Sequence, residues 1–195
     1  MKTPVIGLTG GLASGKSLVA KYLAELGALL IDSDVLSREV VALDTNARNA
    51  MRLRWPDVFN RSGELNRDKL AKIIFADKNE REALNEILHP PIIKKIKELL
   101  DQPRSAPAVV VIPLLIEANL FGLVNEIWVV WCKEEQQIKR LMLRDKLTEE
   151  EARLRLTAQI PLNEKIKYAK VVICNDKDPE ETKSQVEFAW KRFDE

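Results

Sequence analysis

The 195-residue chain is 46% hydrophobic and 31% charged, with a net charge of +1, the composition of one globular α/β domain with excursions or of two small lobes sharing a core. So small a charge gives no field that would gather nucleic acid or an anionic membrane, and any anion must be held locally. The longest apolar run, residues 106–116, contains Pro107 and Pro113 and is about half the length of a membrane helix. The residues before the first strand do not read as a basic, cleavable leader, so none is expected. Cys132 and Cys174 stand far apart without a metal-ligand spacing, as expected of two buried thiols in a reducing compartment. The expectation is a soluble cytoplasmic protein, monomer or small homo-oligomer, with no nucleic-acid or membrane partner.

In chain order, residues 5–9 form a short apolar segment ending in glycines, read as a buried strand. A helix follows over 17–26, with Val19, Leu23 and Leu26 at helical spacing and Gly27 as its stop. Residues 28–31 make a second strand, with Asp32, Ser33 and Asp34 at its exit, then a helix-like run over 35–41. Helices are predicted over 67–75, 79–88 and 90–100, with Asn66 capping the first and Asp77 or Asn79 the second. Residues 109–112, 127–132 and Val171–Cys174 give three more strands. Between the last two lie a helix marked by Ile138, Leu141 and Met142, and another opened by the capping box Thr148–Glu151. The final helix, over 179–193, starts with Pro179 near N1 and sets Val186, Trp190 and Phe193 on one face. Five short apolar strands separated by helices imply a five-stranded parallel sheet buried on both faces, a three-layer α/β/α fold. The stretch between the second and third strands is too long for one crossover helix and reads as an inserted helical subdomain.

Gly10, Gly11, Leu12, Ala13, Ser14, Gly15, Lys16 and Ser17 match G-x-x-x-x-G-K-[ST] between a strand and a helix. Glycines let successive backbone N–H groups turn toward one anion, and the positive end of the following helix adds to that field. Lys16 can place a charge on the β- and γ-phosphates of ATP, and the Ser17 hydroxyl can ligate Mg²⁺. A glycine turn that merely joins strand to helix is the rival reading. A switch GTPase would need Asp-x-x-Gly, but the residues three before the seven glycines are Pro4, Gly7, Leu8, Leu12, Ala24, Asn60 and Asn119. The run Asn175-Asp176-Lys177-Asp178 has its lysine misplaced for guanine recognition and reads as a turn. A large ATPase would want an acidic end to the third strand and further domains.

Asp32 and Asp34 lie at the carboxyl end of the second strand, the edge where doubly wound folds bind ligands. Asp34 is either a helix N-cap, a carboxylate that takes a hydroxyl proton or positions Mg²⁺ through water, or both. Arg140 and Arg144 are four apart on one helical face, as a solvated stripe or as a lid that brings guanidinium groups to a transferring phosphate. His89, the single histidine, reads as a structural or substrate-pocket residue rather than a catalytic one. Trp128 and Trp131 read as core or edge residues.

Together these residues resemble the dephospho-coenzyme A kinase family. The resemblance is carried by residues 6–17, by Ile31-Asp32-Ser33-Asp34 with Arg38, and by Leu88-His89-Pro90. Ile112-Pro113-Leu114-Leu115-Ile116-Glu117 and Arg140-Leu141-Met142-Leu143-Arg144-Asp145 complete it. It implies transfer of the ATP γ-phosphate to the ribose 3′-hydroxyl of dephospho-CoA, the last step of coenzyme A synthesis. It also implies a nucleotide core at 1–43, 105–132 and 169–195, a helical CoA-binding insertion at 44–104 and a lid at 133–168. By the same resemblance Asp34 is the base, Lys16 and Arg140 stabilise the phosphate, and Ser17 holds Mg²⁺. Arg144 joins the ATP contacts, and Asp32, Arg38 and His89 the substrate contacts. Leu18 stands where the family often has a second Ser or Thr, and Trp131-Cys132 where it often has an acid. The rivals are another small P-loop kinase acting on a nucleotide, nucleoside or polyol, and a P-loop regulatory module without turnover.

Overall fold

The computed structural model describes residues 3–193, which divide into two compact units: one runs to Asp32 and resumes at Leu100, the other is Ser33–Leu99. The first contains β1 (Val5–Gly10), α1 (Lys16–Glu25), β2 (Leu29–Asp32), β3 (Ala108–Val111) and β4 (Glu126–Trp131). It continues with α6 (Glu134–Asp145), α7 (Glu149–Leu156), α8 (Leu162–Ile166), β5 (Val171–Cys174) and α9 (Pro179–Trp190). The second holds α2 (Ser33–Leu43), α3 (Thr45–Arg54) and α4 (Arg67–Ala76), and most of α5 (Lys78–Leu100).

The sheet has the order β2-β3-β1-β4-β5, and every pair is parallel. β1 is central and buried along its whole length, which is why its residues form a continuous apolar run rather than an alternating one. Ile6, Leu8, Val19, Leu23, Trp128, Ile173, Val186 and Trp190 form one core between sheet and helices. Each large side chain buried there contributes roughly 1.5–3 kcal/mol. The expected face of the last helix is observed: Val186 and Trp190 are buried and Phe193 packs against them, edge-on to Trp190. Trp128 is fully buried and Trp131 half-buried. Strand crossovers leave the carboxyl ends of β1, β3 and β4 on one edge, where the P-loop begins.

The helical unit departs from the sequence expectation in three places. Helices expected over 79–88 and 90–100 are one, α5, with Pro90 and Pro91 inside it. Proline's fixed φ suits a helix, although the carbonyls of Glu86 and Ile87 lose their helical donors. Leu88, Ile92 and Ile96 are buried at four-residue steps across the prolines, and that packing carries the helix through. α3 was not expected; Asp44 caps it by accepting the Ala47 N–H at 3.0 Å, but only Ala47 and Met51 are buried, too few for a periodic signal. Asp34 is not the N-cap of a helix from residue 35, because α2 already begins at Ser33; it lies in the first turn. Asn66 and Asp77 act as expected, accepting the N–H groups of Lys69 and Asn79. Trp55 is buried, and its indole N–H donates to Glu80 Oε2 at 2.7 Å. Among the described residues no helix is long and apolar enough to cross a membrane.

Candidate active site

The loop between β1 and α1 closes as a turn, with the Ser14 N–H donating to Gly11 O at 3.3 Å. Ala13 sits at φ 54° and Gly15 at φ 102°, left-handed conformations that only glycine adopts without strain. Gly15 is required for space as well, since a Cβ there would overlap the Asn175 amide nitrogen; one on Gly11 would overlap that of Gln137.

Five successive carbonyls of this loop each receive a side-chain donor. Gly10 O accepts from Lys16 Nζ at 3.2 Å and Lys165 Nζ at 3.5 Å. Gly11 O accepts from Lys16 Nζ at 2.7 Å and Leu12 O from Gln137 Nε2 at 2.6 Å. Ala13 O and Ser14 O each accept from Arg140 Nη1 at 3.4 Å, and Ser14 O also from Asn175 Nδ2 at 2.8 Å. Four of these carbonyls are held from beyond the motif and Gly11 O, among side chains, by Lys16 alone; carbonyls so held turn the N–H groups inward, where the first turn of α1 has donors without helical partners. The result is a cradle for an anion built before the anion arrives.

Of the expected site residues, this unit brings together Gly10 through Ser17 and Arg140. Arg140 Nη2 also donates to Asn175 O at 2.9 Å. A cleft of about 430 Å³ is lined by Ala13, Gly15, Arg140, Leu143 and Arg144. Arg144 is exposed and bonds Asp145 through Nε at 2.7 Å, and that guanidinium holds the Asp145 carboxyl below the usual carboxylate range. A second cleft of about 680 Å³ flanks Gly11 and Leu12, lined in part by Trp131, Gln137, Arg153, Gln159 and Asn163. Asp32 ends β2, half-buried. Asp34 and Arg38, both exposed, lie on α2, and His89, half-buried, on α5; all three belong to the helical unit. Burial pushes the His89 imidazole below its ordinary value.

Ser17 is exposed in the first turn of α1, and among the described residues no group of three or more His, Cys, Asp or Glu could cage a metal. This donor set fits Mg²⁺ carried on phosphate oxygens and waters with one protein hydroxyl. Cys132 is buried, and burial pushes its thiol up to about 11, so it is no nucleophile at neutral pH. Cys174, expected to be buried, is only half-buried, because β5 is an edge strand.

Sequence reasoning missed Gln137, Lys165 and Asn175. The sequence presents Asn175 as part of a turn, yet it is buried and oriented from behind by Thr182, whose Oγ1 donates to Asn175 Oδ1 at 3.1 Å. Lys165 is fully buried and paired with Glu117 Oε1 at 2.7 Å. Burial lowers the pKa of its ammonium and Glu117 opposes the shift.

A parallel five-stranded sheet, a phosphate-binding loop after its central strand and an arginine-bearing helix on that loop make this a P-loop kinase fold. Shikimate kinase from Acinetobacter baumannii has it too, with TM-score 0.60 and 15% identity over 97% of this chain and 92% of that one. The dephospho-CoA kinase family model matches residues 4–181, and the chain belongs to that family. It is 40% identical to dephospho-CoA kinase of Carboxydothermus hydrogenoformans over 96% of both chains. It is also similar to the crystal structure of TT1252 from Thermus thermophilus, with TM-score 0.84 and 29% identity over 98% of both chains.

Proposed function

We infer that the chain is a dephospho-CoA kinase, which transfers the γ-phosphoryl group of ATP to the ribose 3′-hydroxyl of dephospho-CoA and releases ADP and CoA, the last step of CoA biosynthesis. Family membership supports the acceptor. The observation that carries the chemistry is the loop whose five carbonyls all have side-chain donors, four of them from beyond the motif. Its N–H groups and Lys16 bind the β- and γ-phosphates, and Arg140, with Arg144 beside the same cleft, neutralises charge on the group in transfer. Bound Mg²⁺, held by Ser17, would neutralise phosphate oxygens. Asp34 accepts the proton of the 3′-hydroxyl, and Asp32, Arg38 and His89 hold the acceptor. The work divides among a nucleotide core at 1–43, 105–132 and 169–195, a CoA-binding insertion at 44–104 and a lid at 133–168. Cytoplasmic location and a monomeric or small homo-oligomeric state belong to the same reading. The test is ATP turnover with dephospho-CoA, adenosine, AMP, CMP, shikimate and gluconate. Turnover with dephospho-CoA is expected; activity on another acceptor with none on dephospho-CoA would sink the assignment.

A further inference from the structure

Lys165 lies outside the phosphate-binding motif, on the short helix α8, yet it is completely buried at 0% exposure. Its three N–H bonds meet three acceptors: Glu117 Oε1 at 2.7 Å, Pro113 O at 3.0 Å and Gly10 O at 3.5 Å. A buried ammonium is tolerated only with such a set. The place it fills is defined by the sheet. The bonds between β1 and β3 end where the Ile112 N–H donates to Leu8 O at 3.0 Å. Gly10 O is the next carbonyl on that side of β1, and there the chain after β3 has turned away at Pro113.

Gly10 O therefore takes two ammonium groups, Lys16 at 3.2 Å and Lys165 at 3.5 Å, and the second is the longest of the three contacts Lys165 makes. Glu117 fixes Lys165 from behind. Its Oε1 also accepts the Ile160 N–H at 3.2 Å, and its Oε2 is buried with no hydrogen-bond partner. The pair thus ties the P-loop to the turn after β3 and to the segment that follows α7. Lys16 faces a conflict. Its ammonium lies on Gly10 O and Gly11 O, but phosphate binding draws it away. Gly11 O keeps the Ser14 N–H, whereas Gly10 O would keep only Lys165. A buried carbonyl stripped of its donors carries the full desolvation penalty.

We propose that Lys165, held by Glu117, is a positioning residue for Lys16: it keeps the Gly10 carbonyl bonded when Lys16 moves from the loop onto the phosphates of the nucleotide. The proposal rests on the ATP reading above. Two experiments test it. In a crystal structure of the wild-type protein with MgADP, Lys16 Nζ should lie on a phosphate oxygen and the Lys165–Gly10 O contact should tighten to about 3 Å. Lys16 still on Gly10 O, or Lys165 detached from it, overturns the proposal. The second experiment is steady-state kinetics of Lys165→Met/Glu117→Leu, which removes both charges together and so spares the fold an unpaired one. The KM for ATP should rise about tenfold or more, with the KM for dephospho-CoA changed less than about threefold, a split that loss of packing alone would not give. A folded double variant with wild-type kcat and KM for both substrates makes the pair merely structural and overturns the proposal. Should that variant not fold, the MgADP structure decides. Wild-type protein assayed alongside separates the two readings, since an inactive wild type sinks the ATP reading itself.

Discussion

The sheet unit and the helical unit spend their polar side chains differently. At the end of β1, donors reach the loop from far along the chain: Gln137 is 125 residues from Leu12, and Asn175 is 161 from Ser14. These groups are buried, and each satisfies a backbone carbonyl. In the helical unit the partners are closer and wetter. Arg48 Nη2 donates to Gly63 O at 2.5 Å across 15 residues, and Arg54 meets Glu80 at 2.9 Å with both side chains partly in solvent. Lys95 and Glu39 pair in the same way at 3.1 Å. Exposed pairs contribute little to stability, whereas buried hydrogen bonds fix one geometry because the alternative is an unsatisfied group. The P-loop is therefore preorganised, while the helical unit buries apolar side chains such as Val40, Met51, Trp55, Val58 and Ile96.

The sharpest break of this contrast comes from the charges at the chemistry. Lys16→Ala or Asp34→Asn should lower kcat about a hundredfold or more, the size of single electrostatic or acid–base contributions. Near-normal kcat in a folded Asp34→Asn protein would remove Asp34 as the base. Next is Asn175→Ala, which takes a donor from Ser14 O and leaves the Thr182 hydroxyl its longer bonds to Cys174 O and Asp178 O. Its kcat/KM for ATP should fall roughly tenfold, the equivalent of one buried hydrogen bond; an unchanged value would mean that Arg140 alone suffices. In the helical unit Arg54→Ala should move Tm by no more than about 2 °C, in keeping with an exposed pair. A larger drop would erase the distinction between the units.

The smallest effect is in pH. Burial lowers the folded-state pKa of His89 from an ordinary value of 6.5. The unfolded chain then binds the proton more readily, so the stability from neutral His89 is complete above 6.5 and is lost as pH falls through the folded pKa. Urea unfolding at pH 7.5 and 5.5 should show a decline that His89→Gln reduces; equal declines would refute it.

The fold was legible where its causes are local or periodic. Residues 5–9 read as a buried strand because no charged residue interrupts them, and the glycine spacing announced the anion site. α3 was illegible because two buried residues make no stripe. α5 was misread because the prolines spoke louder than Leu88, Ile92 and Ile96. The outer support of the P-loop could not be read at all. Gln137, Lys165 and Asn175 have no spacing relative to Gly10 or Ser14 until the sheet brings them there. The one available signal was indirect: Glu117, a charge at the end of the apolar run over 106–116.

Trp55 has a use beyond packing. The chain's four tryptophans are Trp55, Trp128, Trp131 and Trp190, and only the first lies within Ser33–Leu99. Its indole is buried and tethered to Glu80, so its emission is set by that one environment. The helical unit thus carries a single native fluorophore. A Trp55→Phe difference spectrum followed during denaturation would isolate the melting of that unit from the melting of the sheet, without any attached dye.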